Sequence, residues 1–237
     1  MNVPPLNILY ADNHLLVVDK PAGIATMGSQ AGELTVARQA SDYLRQKHNK
    51  PGNAFVGVVS RLDRLVSGVL ILARTSKAAS RLSEQIRQQK VEKHYLAIVE
   101  GQCPWEFTQP GSWHELVDWV AKDEAKQRMR AVSESMPGAQ LARLRVQWLA
   151  TVRDKSLVKL ELITGRKHQI RLQLAEQGTP VWGDSKYGAA KPFSPGIALH
   201  CQQLTVSHPT LKQQLTFTSS PAHHWTKAPS EFAPLVS

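Results

Sequence analysis

The stretch Val56-Gly-Val-Val-Ser-Arg-Leu-Asp-Arg-Leu-Val-Ser-Gly-Val-Leu-Ile-Leu-Ala-Arg74 decides how the rest of the chain is read. Residues 55–59 and 69–73 are apolar runs of strand length, and the segment between them is crowded with charge. Asp63 sits in its middle, between Arg61 and Arg64. A strand–loop–strand pattern of this kind presents a few polar groups at the end of a rigid sheet, where sites are often built. From these residues alone, a surface loop closed by an Asp–Arg ion pair explains the pattern equally well.

Working outward toward the N-terminus, residues 7–11 and 15–19 are apolar runs separated by Asp12-Asn13-His14, which predicts a strand, a turn and a second strand. Lys20-Pro21-Ala22-Gly23 breaks that pattern, and residues 24–34 read as an exposed loop. Val36, Ala37, Ala40, Tyr43 and Leu44 then follow helical spacing behind Thr35, a good N-cap. On the other side of the opening stretch, Thr75 or Ser76 caps a helix that carries Ala78, Ala79, Leu82 and Ile86 on one face. Its other face, with Lys77, Arg81 and Arg87, reads as solvated.

Residues 91–100 alternate into a strand containing Tyr95, and the Pro- and Gly-punctuated region 104–140 predicts a strand or two with a mobile connection. Residues 141–152 and 157–163 form a predicted strand pair. Thr164-Gly-Arg-Lys-His-Gln-Ile-Arg171 leads into a helix that begins near Ile170 and that Gly178 ends. A Gly/Pro-rich loop over 180–195 and a hairpin of 198–206 with 213–218 follow, and the tail after Pro221 reads as surface-lying. Strands and helices mix without a steady βαβ alternation, so the expected class is α+β, and the length allows one large or two small domains.

The chain has 237 residues, and 29 Lys+Arg against 19 Asp+Glu give a formal charge of +10. Such a field favours a polyanionic partner, either a nucleic acid or an acidic membrane surface. Eight Lys or Arg against two acids lie in residues 141–171, and six against two in residues 74–93, so two basic segments are available to line one groove. No apolar stretch approaches the roughly 20 residues of a membrane span. The start Met1-Asn-Val-Pro-Pro-Leu lacks a secretory pattern, and the cytoplasm is the expected location. Cys103 and Cys201 form no CxxC, and the nine histidines are scattered, so no structural zinc site is expected. GxxxxGK[ST], GxGxxG and HExxH motifs are lacking, and no GxSxG surrounds Ser67.

Three side chains stand out for chemistry. Asp63, between arginines, is expected to stay ionised, which suits a nucleophile or base better than a general acid. Tyr95 offers a face for stacking on a base and a phenol for proton relay, although a strand tyrosine is more often core. Arg171 can hold a carboxylate bidentately, although its residue type alone predicts a surface position.

Several segments together resemble one family. Ser60-Arg-Leu-Asp-Arg-Leu-Val-Ser-Gly68 is similar to the H-R-L-D-x-x-T-S-G signature of the RluA-type RNA pseudouridine synthases. Leu16-Val-Val-Asp-Lys-Pro-Ala-Gly23 resembles that family's N-terminal strand and turn, and Glu92-Lys-His-Tyr-Leu-Ala-Ile-Val-Glu-Gly101 its K-x-Y-l-A-l-v-x-G strand. Gly165-Arg-Lys-His-Gln-Ile-Arg171, Gly183-Asp-Ser-Lys-Tyr-Gly188 and Leu199-His-Cys-Gln-Gln-Leu204 resemble three later elements in family order.

The resemblance implies a pseudouridine synthase fold in a single catalytic domain over residues 1–237, core about 7–219, with a mixed, largely antiparallel bent central sheet, flanking helices and a central RNA-binding cleft. It also implies isomerisation of uridine to pseudouridine in ribosomal or transfer RNA, by a monomer that uses no cofactor and no metal. It makes Asp63 the catalytic carboxylate, Tyr95 the aromatic residue near the target base and Arg171 the cleft arginine that pairs with the aspartate. Arg61, Arg64, Arg166, Lys167 and His168, which flank these residues in their motifs, are the expected RNA contacts.

Ser60 stands where most members have His, Val66 where they have Thr and Lys167 where Thr is common. Because the first catalytic strands start within ten residues, no S4-type RNA-binding domain is expected ahead of them, which leaves RNA selection to the loop 24–34 and the region 104–140. The alternative is a non-catalytic RNA-binding or RNA-chaperone protein on the same fold.

Overall fold

Period-two alternation interrupted by short turns yields a chain built mainly of strands. In order these elements are β1 (Asn7–Ala11), β2 (Leu15–Lys20), helix α1 (Val36–Lys47), β3 (Gly57–Val58), β4 (Ser67–Ala73), helix α2 (Ser76–Arg87) and β5 (Glu92–Glu100). There follow β6 (His114–Asp123), β7 (Arg128–Val132), β8 (Gln140–Val152), β9 (Lys155–Leu162), helix α3 (Gln169–Glu176), β10 (Leu199–Ser207) and β11 (Gln214–Thr218). The computed structural model describes residues 6–28, 33–49, 51–101, 103–104 and 111–236. Residues 29–32 and 105–110, parts of the two segments expected to select RNA, lie outside the described residues. The chain divides into two compact units, Met1–Val91 with Cys201–Ser219, and Glu92–His200 with Ser220–Ser237.

In the first unit β2 is buried along its whole length and pairs antiparallel with both β1 and β4. Leu15, Leu16, Val17 and Val18 meet Val69, Leu70, Ile71 and Leu72 with at most 2% of any of them exposed. At about 1.5–3 kcal/mol for each such side chain, this pair is a platform firm enough to carry a shaped loop at its end. Its register sets Lys20 opposite Gly68, so the chain leaves β2 and enters β4 at the same end. Gly68 has φ of 111°, and a Cβ there would lie 2.3 Å from the Cys201 carbonyl oxygen of β10, so only glycine fits.

Thr35 and Thr75 cap α1 and α2 as expected, accepting from the Arg38 and Ala78 amides. Helix α2 is tied to the β10–β11 hairpin by Gln85, which exchanges two bonds with the Ser207 backbone, and by Arg81, which donates to the Pro209 carbonyl. Arg81, expected on a merely solvated face, therefore holds the hairpin turn.

The first of the two apolar runs in the opening stretch does not become a buried strand. Only Gly57–Val58 pair, and Phe55 is half exposed. Alternation between core and solvent fails there because a two-residue strand on β4 buries little. Nor are residues 24–34 simply an exposed loop, since Thr26 is buried.

In the second unit the sheet order is β5-β9-β8-β6-β7, every neighbouring pair antiparallel. The region expected to hold one or two strands with a mobile connection contains the hairpin of β6 and β7, turned at 124–127. Leu172 of α3 packs with Val120, Met129, Ala142 and Tyr187. The tail is a correction to the sequence reading. Trp225, Phe232 and Val236 are buried against Leu96, Ile98, Leu157, Phe193 and Ala198. These apolar residues lie in short 3₁₀ turns and irregular chain, so no helical or strand period announces them.

Candidate active site

Asp63 lies on the loop between β3 and β4, and the loop is shaped by its immediate neighbours. Leu62 and Val66 are buried, Arg61, Arg64 and Leu65 are exposed, and Asp63 is partly exposed. The Val66 amide donates to the Asp63 carbonyl, closing a tight turn behind the carboxylate. The Lys20–Thr26 turn clasps this loop on both sides of Asp63. Thr26 Oγ1 accepts from the Leu62 amide at 3.1 Å and donates to the Leu62 carbonyl at 2.8 Å. Gly23 N–H donates to the Arg64 carbonyl at 2.7 Å, and Arg64 Nε returns a bond to the Gly23 carbonyl at 2.9 Å. Gly23 adopts φ of 93°, the left-handed region that suits glycine.

Lys20 completes the clasp from below. Its ammonium is fully buried and donates to the Pro21 and Ile24 carbonyls at 2.8 Å, with a longer bond to the Arg64 carbonyl at 3.4 Å. Burial pulls its pKa down to about 7, against the opposing pull of the Asp63 and Asp19 carboxylates. The K-P-A-G turn read as a pattern breaker is thus the support of the Asp63 loop. Lys20 and Thr26 were not singled out from sequence. The signal for Lys20 was present, since a lysine ending a strand that opens with four apolar residues must find acceptors if the strand is buried to its end.

In the second unit Arg171 and Asp184 form a two-point ion pair, Nε to Oδ2 at 2.6 Å and Nη2 to Oδ1 at 2.7 Å. Both are buried, Arg171 at 4% and Asp184 at 1% exposed, which corrects the surface position that residue type alone predicts for Arg171. The expectation that it can hold a carboxylate bidentately is met by Asp184. Its guanidinium also lies 5.1 Å from the centroid of the Tyr187 ring. Tyr187 Oη accepts from the Met129 amide at 3.0 Å and lies 3.0 Å from His168 Nδ1. Arg171, Asp184, Tyr187 and His168 therefore form one connected cluster. Asp184 and Tyr187 come from the G-D-S-K-Y-G element, a motif visible in the sequence that by itself names no partner.

The loop before α3 is braced by Gln169, 3% exposed, whose Oε1 accepts from Thr164 Oγ1 and the Arg166 amide while its Nε2 donates to the Arg143 carbonyl. His168 takes the left-handed conformation, φ 52°, at the helix start. Of the expected RNA contacts, Arg166 is exposed with Nε bonded to the Leu141 carbonyl, Lys167 is exposed, and His168 is half-buried against Tyr187. Tyr95 stands in β5 opposite Leu160 and is 6% exposed. The structure thus groups Arg61, Asp63 and Arg64 on one loop of the first unit. Arg166, Lys167, His168 and Arg171 share a second segment, in the unit that also holds Tyr95.

Residues 14–176 match the family model for RNA pseudouridylate synthase. The chain belongs to the RNA pseudouridine synthase family. Within it the chain is similar to RluA-type members. It is 32% identical over 219 residues to the dual-specificity RNA pseudouridine synthase RluA of Haemophilus influenzae, covering 91% of this chain and 93% of that protein. It is 34% identical over 206 residues to the uncharacterized RNA pseudouridine synthase YhcT of Bacillus subtilis, covering 86% of this chain and 65% of that relative's length. The fold is that of the human RNA pseudouridylate synthase domain containing 4, with a TM-score of 0.72 and 24% identity over 96% of this chain and 90% of that one. The expected mixed, mostly antiparallel sheet with few helices is therefore the fold of this family of isomerases. Among the described residues no helix is long and apolar enough to cross a membrane, and no three His, Cys, Asp or Glu side chains are grouped to hold a metal ion.

Proposed function

We propose that this chain isomerises specific uridines to pseudouridine in structured ribosomal or transfer RNA, with Asp63 as the catalytic carboxylate. The observation that carries this reading is the clasp on the Asp63 loop: backbone and side-chain bonds at Leu62 and Arg64 hold a partly exposed carboxylate in place. A reacting group has to be positioned to within a fraction of an ångström, and fixing the residues on either side does this while leaving the carboxylate accessible. The target base must leave its stack to have its N1–C1′ bond broken and re-formed at C5. An ionised aspartate serves each of three routes, attack at C1′, attack at C6 or removal of the C2′ proton.

In this reading Tyr95 stacks near the base and assists loss of the C5 proton, while Arg171 is the cleft arginine that orients the aspartate. Arg61, Arg64, Arg166, Lys167 and His168 contribute to RNA binding, which is therefore salt-dependent. Val66, one of the two departures in the signature, is 3% exposed, so its consequence is for packing beneath the loop. The protein acts in the cytoplasm as a single catalytic domain and a monomer.

The test uses bulk ribosomal and transfer RNA labelled with tritium at C5 of uridine and prepared from cells lacking the protein. Wild type releases the label, and Asp63→Ala lowers the rate by on the order of 10⁴-fold while retaining RNA binding. Equal release by both proteins overturns the assignment of Asp63. Failure of wild type to release label from either RNA pool, together with rescue of deletion cells by Asp63→Ala, points to the RNA-chaperone alternative.

A further inference from the structure

The isomerisation gives Tyr187 no task, yet the second unit holds this side chain at three points. Its amide donates to the Asp184 carbonyl at 3.0 Å within the 3₁₀ turn Ser185–Tyr187. The Arg171 guanidinium lies 5.1 Å from its ring centroid, and the Met129 amide of β7 donates to its hydroxyl at 3.0 Å. From this fixed position Tyr187 Oη meets His168 Nδ1 at 3.0 Å, with the two rings edge to face and their centroids 5.7 Å apart. A tyrosine hydroxyl has one proton to give and two lone pairs. The Met129 amide can only donate, so it occupies one lone pair and leaves the hydroxyl proton for His168 Nδ1.

The backbone around His168 is fixed as well. Its carbonyl accepts from the Leu172 amide at 2.9 Å, and the Arg166 carbonyl accepts from the Gln169 amide at 3.2 Å. His168 itself has φ of 52°, the left-handed region that a residue with a Cβ enters only at a cost. The strained residue stands directly after the exposed Arg166 and Lys167, on a segment that faces solvent. Strain held in place on such a segment points to a use for the side chain it carries. In a neutral imidazole whose Nδ1 accepts, the ring proton is on Nε2.

We infer that Tyr187 is a positioning residue for RNA binding, which donates to His168 Nδ1 and so sets His168 Nε2–H as a donor to a phosphodiester oxygen of the substrate. The acceptor is a phosphate oxygen because Arg166 and Lys167 draw the RNA backbone to this segment. His168 then adds a directed hydrogen bond beside those two charges. This inference rests on the RNA-modifying function proposed above and deepens it. It gives Tyr187 a role in RNA binding and His168 a defined proton, and it ties the RNA-facing segment to the buried Arg171–Asp184 pair through one side chain.

Two substitutions at residue 168 separate the donor from the backbone. Asparagine enters the left-handed region more readily than glutamine, but its amide reaches only as far as Nδ1, whereas the glutamine amide nitrogen reaches the place of Nε2. At pH 8, where an ordinary imidazole is neutral, His168→Asn is expected to weaken binding to the same bulk RNA about tenfold, and His168→Gln clearly less. Tyr187→Phe keeps the ring and removes the hydroxyl. It is expected to weaken binding about threefold alone and to add nothing in the His168→Asn background. Nitrogen-15 NMR of histidine-labelled protein, with the His168 signals assigned by their loss in His168→Gln, is expected to show the proton on Nε2 and an Nδ1 signal that moves in Tyr187→Phe. Binding by His168→Asn equal to or tighter than that by His168→Gln, or a wild-type proton on Nδ1, overturns the inference. Label release by wild type and its loss in Asp63→Ala report separately on the isomerisation. Normal release beside either of those results sinks the Tyr187 role alone, and a wild type that binds none of this RNA overturns both readings.

Discussion

Asp63 and Asp184 are both aspartates of signature motifs, and the two units of the protein hold them in opposite ways. Asp184 is 1% exposed and its position is fixed through its own carboxylate, which Arg171 grips at two points. Asp63 is partly exposed, and its position is fixed through its neighbours, by bonds that Lys20, Gly23 and Thr26 make to Leu62 and Arg64. A carboxylate oriented by its own oxygens is suited to structure. The peptide groups beside Asp63 are themselves held, so this residue is placed from its backbone. On the function proposed above, the difference separates a group that shapes a site from one that reacts in it.

The sharpest way to break this comparison is to neutralise Asp184. Asp184→Asn leaves the Arg171 charge buried with its bidentate partner gone, and urea unfolding is expected to show a loss of about 3–5 kcal/mol. Neutralising both partners as Asp184→Asn/Arg171→Met is expected to recover part of that loss, because the stranded charge is removed as well. A stable Asp184→Asn single variant contradicts the structural role.

Thr26→Val sharpens the other half. It keeps the shape of Thr26 and leaves the Leu62 amide and carbonyl without the partners they have at 3.1 and 2.8 Å, at a cost of about 1–3 kcal/mol. Turnover is expected to fall about 10- to 100-fold through misplacement of Asp63. If Thr26→Val turned over label as fast as wild type, neighbour-mediated positioning would be wrong.

The smallest effect concerns Lys20. Below about pH 7 the folded and unfolded chains both carry its proton, while from about pH 7 to the ordinary lysine value near 10.5 only the unfolded chain does. The Lys20 contribution to unfolding free energy therefore rises with pH across that window, by at most about 1.4 kcal/mol per unit. The difference between wild type and Lys20→Met, followed by denaturant unfolding from pH 7 to 9, is expected to show this slope. A difference that is flat with pH would place the Lys20 proton outside that window.

Legibility followed the range of the forces involved. The caps at Thr35 and Thr75 and the β8–β9 and β10–β11 hairpins were readable because each depends on residues a few positions apart. The Asp63 loop was readable as a motif, but its support was not, since Thr26 and Leu62 are 36 residues apart and nothing local in either predicts their bonds. Arg171 was misplaced by residue type alone, because an arginine goes inside only when a matching carboxylate is there, and Asp184 lies 13 residues further on. The tail failed for a different reason. Burial of Trp225 and Phe232 depends on packing against Leu96, Leu157 and Phe193, which no periodicity within the tail encodes.

The close approach of Gly68 to Cys201 has a consequence for how the protein comes into being. The strand that leads away from Asp63 rests against backbone from β10, and the first unit joins residues 1–91 to residues 201–219. A ribosome releases residues 1–91 long before residue 201 is made. The loop that carries Asp63 therefore reaches its final packing only after residue 201 has been made, and a chain shorter than that lacks the backbone against which the strand leaving Asp63 rests.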